Sequence, residues 1–370
     1  MASRRRAKGN YIRPEGGVGN GVASHLERRR MQLSQPMLPA EFAGGARTLP
    51  QRASEDPSEI VLRLSVTERC NFACRYCMPL EGIPKISYEE LPSLSELSSA
   101  VKWLVREQKV RRVRITGGEP LVRPGLVELV RDISQIPGVR EVSLTTNGSR
   151  LAETAEPLRR AGLRRVNVSL DTVDPVRFNE LTRGRLEPVL AGIEAVLEAG
   201  LTPVKLNAVL RRSSWREDVP ALLEYAGNKG VELRFIELMK TGTAAEWAAE
   251  EYVGVDEVKE WLDSISEVTA TGGEASAPAR LTVVEWVGRQ VKVGWITALS
   301  HPFCDNCNRL RLDSYGRLRR CLMDPVSLPL LDLLKTASET EVREKVDGYL
   351  VAKRAPEFMG SELAMVSVGG

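Results

Sequence analysis

From residue 58 onward two hydrophobic periods alternate along the chain. Runs with apolar residues at every second position fall at 60–66, 110–116, 141–146, 164–170, 203–210 and 231–238. Between them, at 93–107, 126–136, 154–161, 189–199 and 218–228, the apolar residues recur every three or four positions. The first period belongs to strands and the second to amphipathic helices. Gly162 and Gly200 follow two of the helical stretches, where a glycine commonly ends a helix. Six strand–helix units predict an α/β fold with a parallel sheet, most simply a partial (β/α)6 TIM-type barrel. In such barrels the chemistry gathers at the carboxyl ends of the strands.

The alternation stops near residue 254. A helix near 255–265 leads into the Gly/Ala/Ser/Pro-rich stretch 271–279. Two strands follow, at 281–286 and 291–297. A hairpin is expected around Ser314-Tyr315-Gly316, with helices at 328–337 and 339–352. The organisation expected is a poorly ordered basic extension over 1–57, a barrel over 58–254 and a smaller C-terminal domain over 255–370. The extension is rich in Arg and Gly and shows no sustained apolar period. A mitochondrial presequence is the competing reading of its arginines. Glu15, Glu27, the glycines and the scarcity of serine weigh against that reading.

Composition narrows the function classes. With 370 residues and a 42% hydrophobic share, the chain can bury a sizeable core without disulfides. A net charge of +3 predicts neither nucleic-acid nor membrane binding, so any electropositive site must be local. No apolar run approaches membrane-spanning length. The six cysteines form two triads, Cys70, Cys74, Cys77 and Cys304, Cys307, Cys321, leaving none for a structural disulfide. This points to a reducing, cytoplasmic compartment. The two histidines are His25, in the extension, and His301, beside the second triad. Histidine-based acid–base chemistry is therefore not expected.

The triads carry the candidate chemistry. Cys70-x-x-x-Cys74-x-x-Cys77 follows the first strand. Three thiolates so spaced suit an iron–sulfur cluster with one iron left open. The bland alternatives are part of a zinc site, or buried thiols. In the second triad the expected hairpin returns Cys321 to Cys304 and Cys307. There the alternative is a structural zinc with His301 as fourth ligand. Gly117-Gly118-Glu119-Pro120 follows the second strand. Paired glycines allow close backbone approach to a ligand, and a carboxylate there can accept from an ammonium. Thr145-Thr146-Asn147-Gly148 and Ser169-Leu170-Asp171 end the third and fourth strands and are weak signals alone.

Arg63, Arg112, Arg114, Arg234, Arg309, Arg311 and Lys205 lie on strands or on the cysteine-bearing hairpin. Period two sets Arg112 with Arg114, and Arg309 with Arg311, on shared faces. Charges on barrel strands have few places to go but the lumen, where such a cluster suits a polyanion such as a triphosphate. Arg111, Arg319 and Arg320 are expected to be salt-bridged or exposed at the rim.

These motifs resemble the radical S-adenosylmethionine superfamily and, within it, the GTP 3′,8-cyclases of molybdenum cofactor biosynthesis. The likeness spans about residues 60 to 370. It is carried by 62–70 through 78–82, by 114–123, by Asn167-Val168-Ser169-Leu170-Asp171 and Lys205-Leu206-Asn207, and by 234–239, the second triad and the Gly-Gly end. The resemblance implies two [4Fe–4S] clusters, on Cys70, Cys74, Cys77 and on Cys304, Cys307, Cys321. The open iron of the first would chelate S-adenosylmethionine, lined by Tyr76, Gly118, Ser169 and Met239; that of the second would meet the guanine. Arg63, Arg114, Thr145, Lys205, Arg309 and Arg311 match GTP-contacting positions, with Arg112 and Arg234 as helpers. Gly369 and Gly370 resemble a tail that enters the active site.

The implied reaction converts GTP to (8S)-3′,8-cyclo-7,8-dihydroguanosine 5′-triphosphate through a 5′-deoxyadenosyl radical. The implied partners are a cytosolic electron donor such as a flavodoxin or ferredoxin, and cyclic pyranopterin monophosphate synthase as recipient of the product. Neither nucleic acid nor membrane is expected, and a homodimer is compatible. No side chain is assigned as acid or base. Departures from the family pattern stand at 210–215, at Lys240 and in the long N-terminal extension. Two rivals remain: a peptide-modifying radical enzyme with an auxiliary cluster, and a zinc-structured nucleic-acid-binding protein.

Overall fold

A computed structural model describes residues 59–351 and residue 365, apart from 80, 81, 84, 85, 245, 272–277, 305 and 306. The expected basic extension, His25 and the Gly369-Gly370 tail lie outside the described residues.

The first half is built as its periods require. In chain order it runs β1 (Ile60–Ser65), α1 (Leu94–Glu107), β2 (Val110–Thr116), α2 (Leu126–Ser134), β3 (Glu141–Thr146), α3 (Leu151–Arg160) and β4 (Arg165–Ser169). It continues with α4 (Pro175–Thr182), α5 (Glu187–Glu198), β5 (Lys205–Val209), α6 (Trp215–Lys229) and β6 (Glu232–Ile236). All six strands pair in parallel with their sequence neighbours. Helix α1 opens on a capping box in which Ser93 accepts from the Glu96 N–H and Glu96 reaches back to the Ser93 N–H. Gly162 and Gly200 stand just past α3 and α5 at φ +101° and +72°, the left-handed backbone a helix end favours. The short helix α4 is absent from the sequence reading, although Asp174 caps it and Pro175 opens it.

Strand alternation sorts the side chains. Leu62, Leu64, Val113, Ile115, Leu144, Val166, Val168, Leu206 and Leu233 point outward under the helices and are fully buried in the main core. At about 25 cal/mol per Å² each such side chain stabilises the fold by about 2 kcal/mol. The intervening positions face inward and are mostly polar, so the barrel interior is a chemical cavity instead of a packed core.

The second half contributes α7 (Ala248–Glu251), α8 (Val255–Asp263), β7 (Val268–Thr271), β8 (Arg280–Trp286) and β9 (Arg289–Ile296). After these come β10 (Arg309–Leu312), β11 (Leu318–Arg319), α9 (Leu330–Thr336) and α10 (Glu339–Val351). Its strands join both edges of the same sheet, whose order is β11-β10-β1-β2-β3-β4-β5-β6-β9-β8-β7. Both β10 on β1 and β9 on β6 are parallel pairs, while β11, β8 and β7 run antiparallel to their neighbours. The six parallel strands read from the sequence are therefore extended by one on each side, and the barrel stays open. Residue 254 marks a change of connectivity within one compact unit. Among the described residues no helix is long and apolar enough to cross a membrane.

Candidate functional site

The loop after β1 carries Cys70, Cys74 and Cys77, each partly buried. It is braced by the turn after β2. The Gly118 N–H donates to the Thr67 carbonyl at 2.7 Å and the Glu119 N–H to the Arg69 carbonyl at 2.8 Å. A Cβ on Gly117 would lie 2.6 Å from the Thr67 oxygen, and one on Gly118 2.5 Å from the Glu68 oxygen. The paired glycines thus allow an approach to the protein's own cysteine loop, where the sequence suggested approach to a ligand. Glu119 is held by the protein's own donors. It is fully buried and accepts from the Leu121 N–H (2.9 Å), the Thr146 Oγ1 (2.7 Å) and the Asn147 N–H (2.7 Å). Burial pushes its carboxyl up to about 7 although those three donors pull the other way.

Burial likewise pushes the Cys70 thiol up to about 11. Burial also raises Cys74, and the neighbouring Cys77, Asp171 and Cys70 raise it further. The sulfurs are therefore close enough to repel as thiolates, and only added positive charge would hold all three ionised. Among the described residues no three His, Cys, Asp or Glu side chains converge on one metal ion. Three partly buried thiols on one loop are the donor set that an iron–sulfur cluster takes.

A cavity of about 260 Å³ opens at the carboxyl ends of the strands. Tyr76, Ser169 and Met239 line it, together with Arg63, Arg114, Thr145, Arg309, Arg311 and all three cysteines of the second triad. Gly118 is not part of this lining. Parallel pairing of β10 on β1 sets Arg311 opposite Arg63, and β1 on β2 sets Arg63 opposite Arg114. Three guanidinium side chains so stand in one row across three strands. Burial lowers the pKa of Arg63, and Arg311 and Arg309 lower it further. Burial, then Arg63, Arg165 and Arg234, lowers Arg114 in the same way. Burial followed by Arg309 brings Arg311 down to about 10, while Cys321 and Cys307 pull it back up. A guanidinium does not deprotonate in a protein, so this crowding is expressed as a positive potential. The Nε of Arg63 and that of Arg114 have no partner among the described residues.

The second triad joins this row directly. Arg309 Nε donates to Cys307 Sγ at 3.4 Å and its guanidinium lies 4.8 Å from the Phe303 ring centroid. The Met323 N–H donates to Cys321 Sγ at 3.5 Å. His301, the fourth ligand of the zinc alternative, is exposed and pairs through Nε2 with Asp256 at 2.8 Å. Among the described residues the second triad offers the cavity three sulfurs.

Beneath the row, toward the amino ends of the strands, a second cavity of about 200 Å³ shares Arg63, Arg114, Arg234 and Arg309 with the first. Lys205 and Arg112 line this deeper cavity and not the upper one. Glu232 sits between Lys205 (3.0 Å) and Arg234 (2.7 Å), a pairing the sequence did not signal. Burial, then Arg234, brings Lys205 down to about 8, against the opposing pull of Glu232. Of the arginines expected to be inert, Arg319 pairs with Asp313 and Arg320 with Asp324, although Arg320 also reaches the cavity wall. Arg111 differs: its guanidinium donates to the Val105 and Val110 carbonyls.

Two carboxylates that the sequence placed in its motifs without a role hold the cavity together. Asp171 accepts from Tyr76 Oη at 2.8 Å and from the Val209 N–H at 2.7 Å, tying the cysteine loop to the end of β5. Glu237, just after β6, is buried. It accepts from the Leu299 and Ser300 N–H groups at 2.8 and 2.9 Å and from Ser300 Oγ at 2.5 Å, fixing the approach to Cys304. Both follow strand ends, the one signal that could have assigned them that role. The divergent loop 210–215 is tied down outside the cavity, where Arg212 forks onto Glu257 and Ser213 donates to Glu251.

The family model for the radical SAM superfamily matches residues 64–226, and that for Molybdenum Cofactor Synthesis C matches residues 231–359. The GTP 3′,8-cyclase of Peptoclostridium acidaminophilum is 42% identical over 280 residues, covering 75% of this chain and 85% of that protein. That of Moorella thermoacetica is 42% identical over 320 residues, covering 84% and 97%. Among solved structures, Streptococcus suis SuiB bound to S-adenosylmethionine aligns with a TM-score of 0.51 at 15% identity, over 74% of this chain and 63% of SuiB. At that identity the likeness concerns the fold alone.

Proposed function

Since this chain belongs to the GTP 3′,8-cyclase family, we propose that its two connected cavities divide the labour of that reaction between named residues. It is a radical S-adenosylmethionine enzyme of molybdenum cofactor biosynthesis that acts on GTP and carries two [4Fe–4S] clusters. When bound there, the first cluster and S-adenosylmethionine would supply the radical chemistry directed at the ribose of GTP.

In our reading Cys70, Cys74 and Cys77 hold the first cluster, and Tyr76, Gly118, Ser169 and Met239 seat S-adenosylmethionine. Cys304, Cys307 and Cys321 hold the second cluster at the guanine. Arg63, Arg114, Thr145, Lys205, Arg309 and Arg311 bind the nucleotide, with Arg112 and Arg234 at the deeper end. Residues 58–254 supply the cofactor side and 255–370 the base side. The electron comes from a flavodoxin- or ferredoxin-type donor, and the product passes to cyclic pyranopterin monophosphate synthase. The observation that carries this reading is the row Arg311–Arg63–Arg114, placed in one cavity with the second triad and with Tyr76, Ser169 and Met239. The protein's own contribution is to fix a polyanion on guanidinium forks and to orient the ribose toward the cofactor.

Anaerobic reconstitution tests the reading. Iron and sulfide matching two four-iron clusters per chain, with conversion of GTP to the cyclised triphosphate, are expected. Zinc in either triad, or GTP left unchanged by fully loaded enzyme, would overturn it.

A further inference from the structure

The row Thr145–Asn167–Lys205 runs straight across β3, β4 and β5. Its outer members are two of the proposed GTP positions, and nothing so far has used its centre. Asn167 is 1% exposed and lines the upper cavity. Its Oδ1 has no hydrogen-bond partner among the described residues. A buried amide oxygen left without a donor costs free energy, so an unpartnered acceptor on a residue that lines a cavity points to a donor supplied by a ligand. Ser169, of the cofactor group, lies two residues further along the same strand face. Asn167 thus occupies the layer between the cofactor end and the cationic floor.

That layer restricts what the oxygen can meet. A triphosphate offers acceptors only. The guanine N–H groups belong at the second triad, beyond β1. Ribose hydroxyls are the donors that lie between base and triphosphate, and ribose carries the C3′–H that must face the cofactor. We propose that Asn167 accepts a hydrogen bond from a ribose hydroxyl of GTP, and that this contact sets the sugar's orientation. The proposal rests on the assignment of GTP to this cavity.

The test is equilibrium binding of GTP, 2′-deoxy-GTP and 3′-deoxy-GTP to anaerobically reconstituted full-length enzyme, with Asn167→Leu and Asn167→Asp alongside. In the natural enzyme one deoxy analogue binds about tenfold more weakly than GTP, the scale of one lost hydrogen bond in a buried site, and its identity names the hydroxyl. In Asn167→Leu GTP weakens to the level of that analogue and the ratio collapses to about one. Asn167→Asp keeps an acceptor, so it keeps the ratio while its charge weakens GTP and analogue alike. A general packing defect would weaken all three ligands equally and leave the ratio standing. Equal binding of GTP and both analogues by the natural enzyme overturns the proposal without reference to any variant. So does an undiminished ratio in Asn167→Leu. Failure of the natural enzyme to bind GTP overturns the cavity assignment itself, and this proposal with it.

Discussion

Lys205 and Arg309 show how single residues translate crowding into function. Lys205 is held at about 8, so in free enzyme its charge is present below that pH and lost as pH rises through it. A triphosphate prefers the charged form. The KM for GTP is therefore expected to climb above pH 8, by up to about tenfold per pH unit, while Lys205→Arg, which stays charged, gives a flatter profile. Parallel profiles for the two enzymes would remove Lys205 from the substrate. Stability runs the other way: between pH 8 and the ordinary lysine value the unfolded chain binds the extra proton, so this group favours the fold more as pH rises. Arg309→Ala should raise the KM for GTP about tenfold or more, the scale of a lost charge-assisted contact, and leave iron content intact, because the cysteines remain. Iron lost in step with activity would make Arg309 a scaffold residue. The inward arginines were legible from period two alone. Glu232 was not, because nothing in a linear sequence says which acid will stand between two lumenal cations.

At the scale of the element, the turn after β2 is the most sharply determined piece. Gly117 and Gly118 lie against the backbone of Thr67–Arg69 with no room for a methyl group. Gly118→Ala must push the cysteine loop off its hydrogen bonds, since the obstructing atoms are backbone oxygens that cannot swing aside. The expected outcome is loss of the first cluster with retention of the second, read as a halving of bound iron and an uncoupled loss of S-adenosylmethionine binding. Full iron content in this variant would show that the loop relaxes. The six barrel strands and five long helices were readable because each repeats its period over several turns or pleats. Helix α4 was not, since its buried apolar anchors are only Phe178 and Leu181. The Gly-Gly-Glu turn was found for its chemistry, and its packing against the cysteine loop was not legible. A motif shows that space is short, but not what fills it.

Across the whole molecule, the C-terminal strands decide whether the barrel exists at all. Without them β1 and β6 would each present a bare edge, the template for pairing with other chains. Here β10 covers β1 and β9 covers β6, while Leu330, Leu331, Val342 and Val346 enter the same core as the barrel strands. Lys335 on α9 meets Glu96, and Arg343 on α10 meets Glu107, fastening the last helices to α1. These exposed pairs contribute little, so the shared sheet and core carry the union. The change of pattern near 254 was legible; the return of the chain to both ends of the sheet was not, because strand pairing over some 250 residues leaves no local mark. Calorimetry of the loaded enzyme should accordingly give one cooperative transition, and a chain ending at residue 254 should aggregate on expression. Two separated transitions, or a soluble and cooperative 58–254 fragment, would mean that the halves fold apart. The arginine row Arg311–Arg63–Arg114 would then be an association between domains. As built, it spans strands from both halves of the chain, so the cation row that faces the substrate forms only when the sheet is complete.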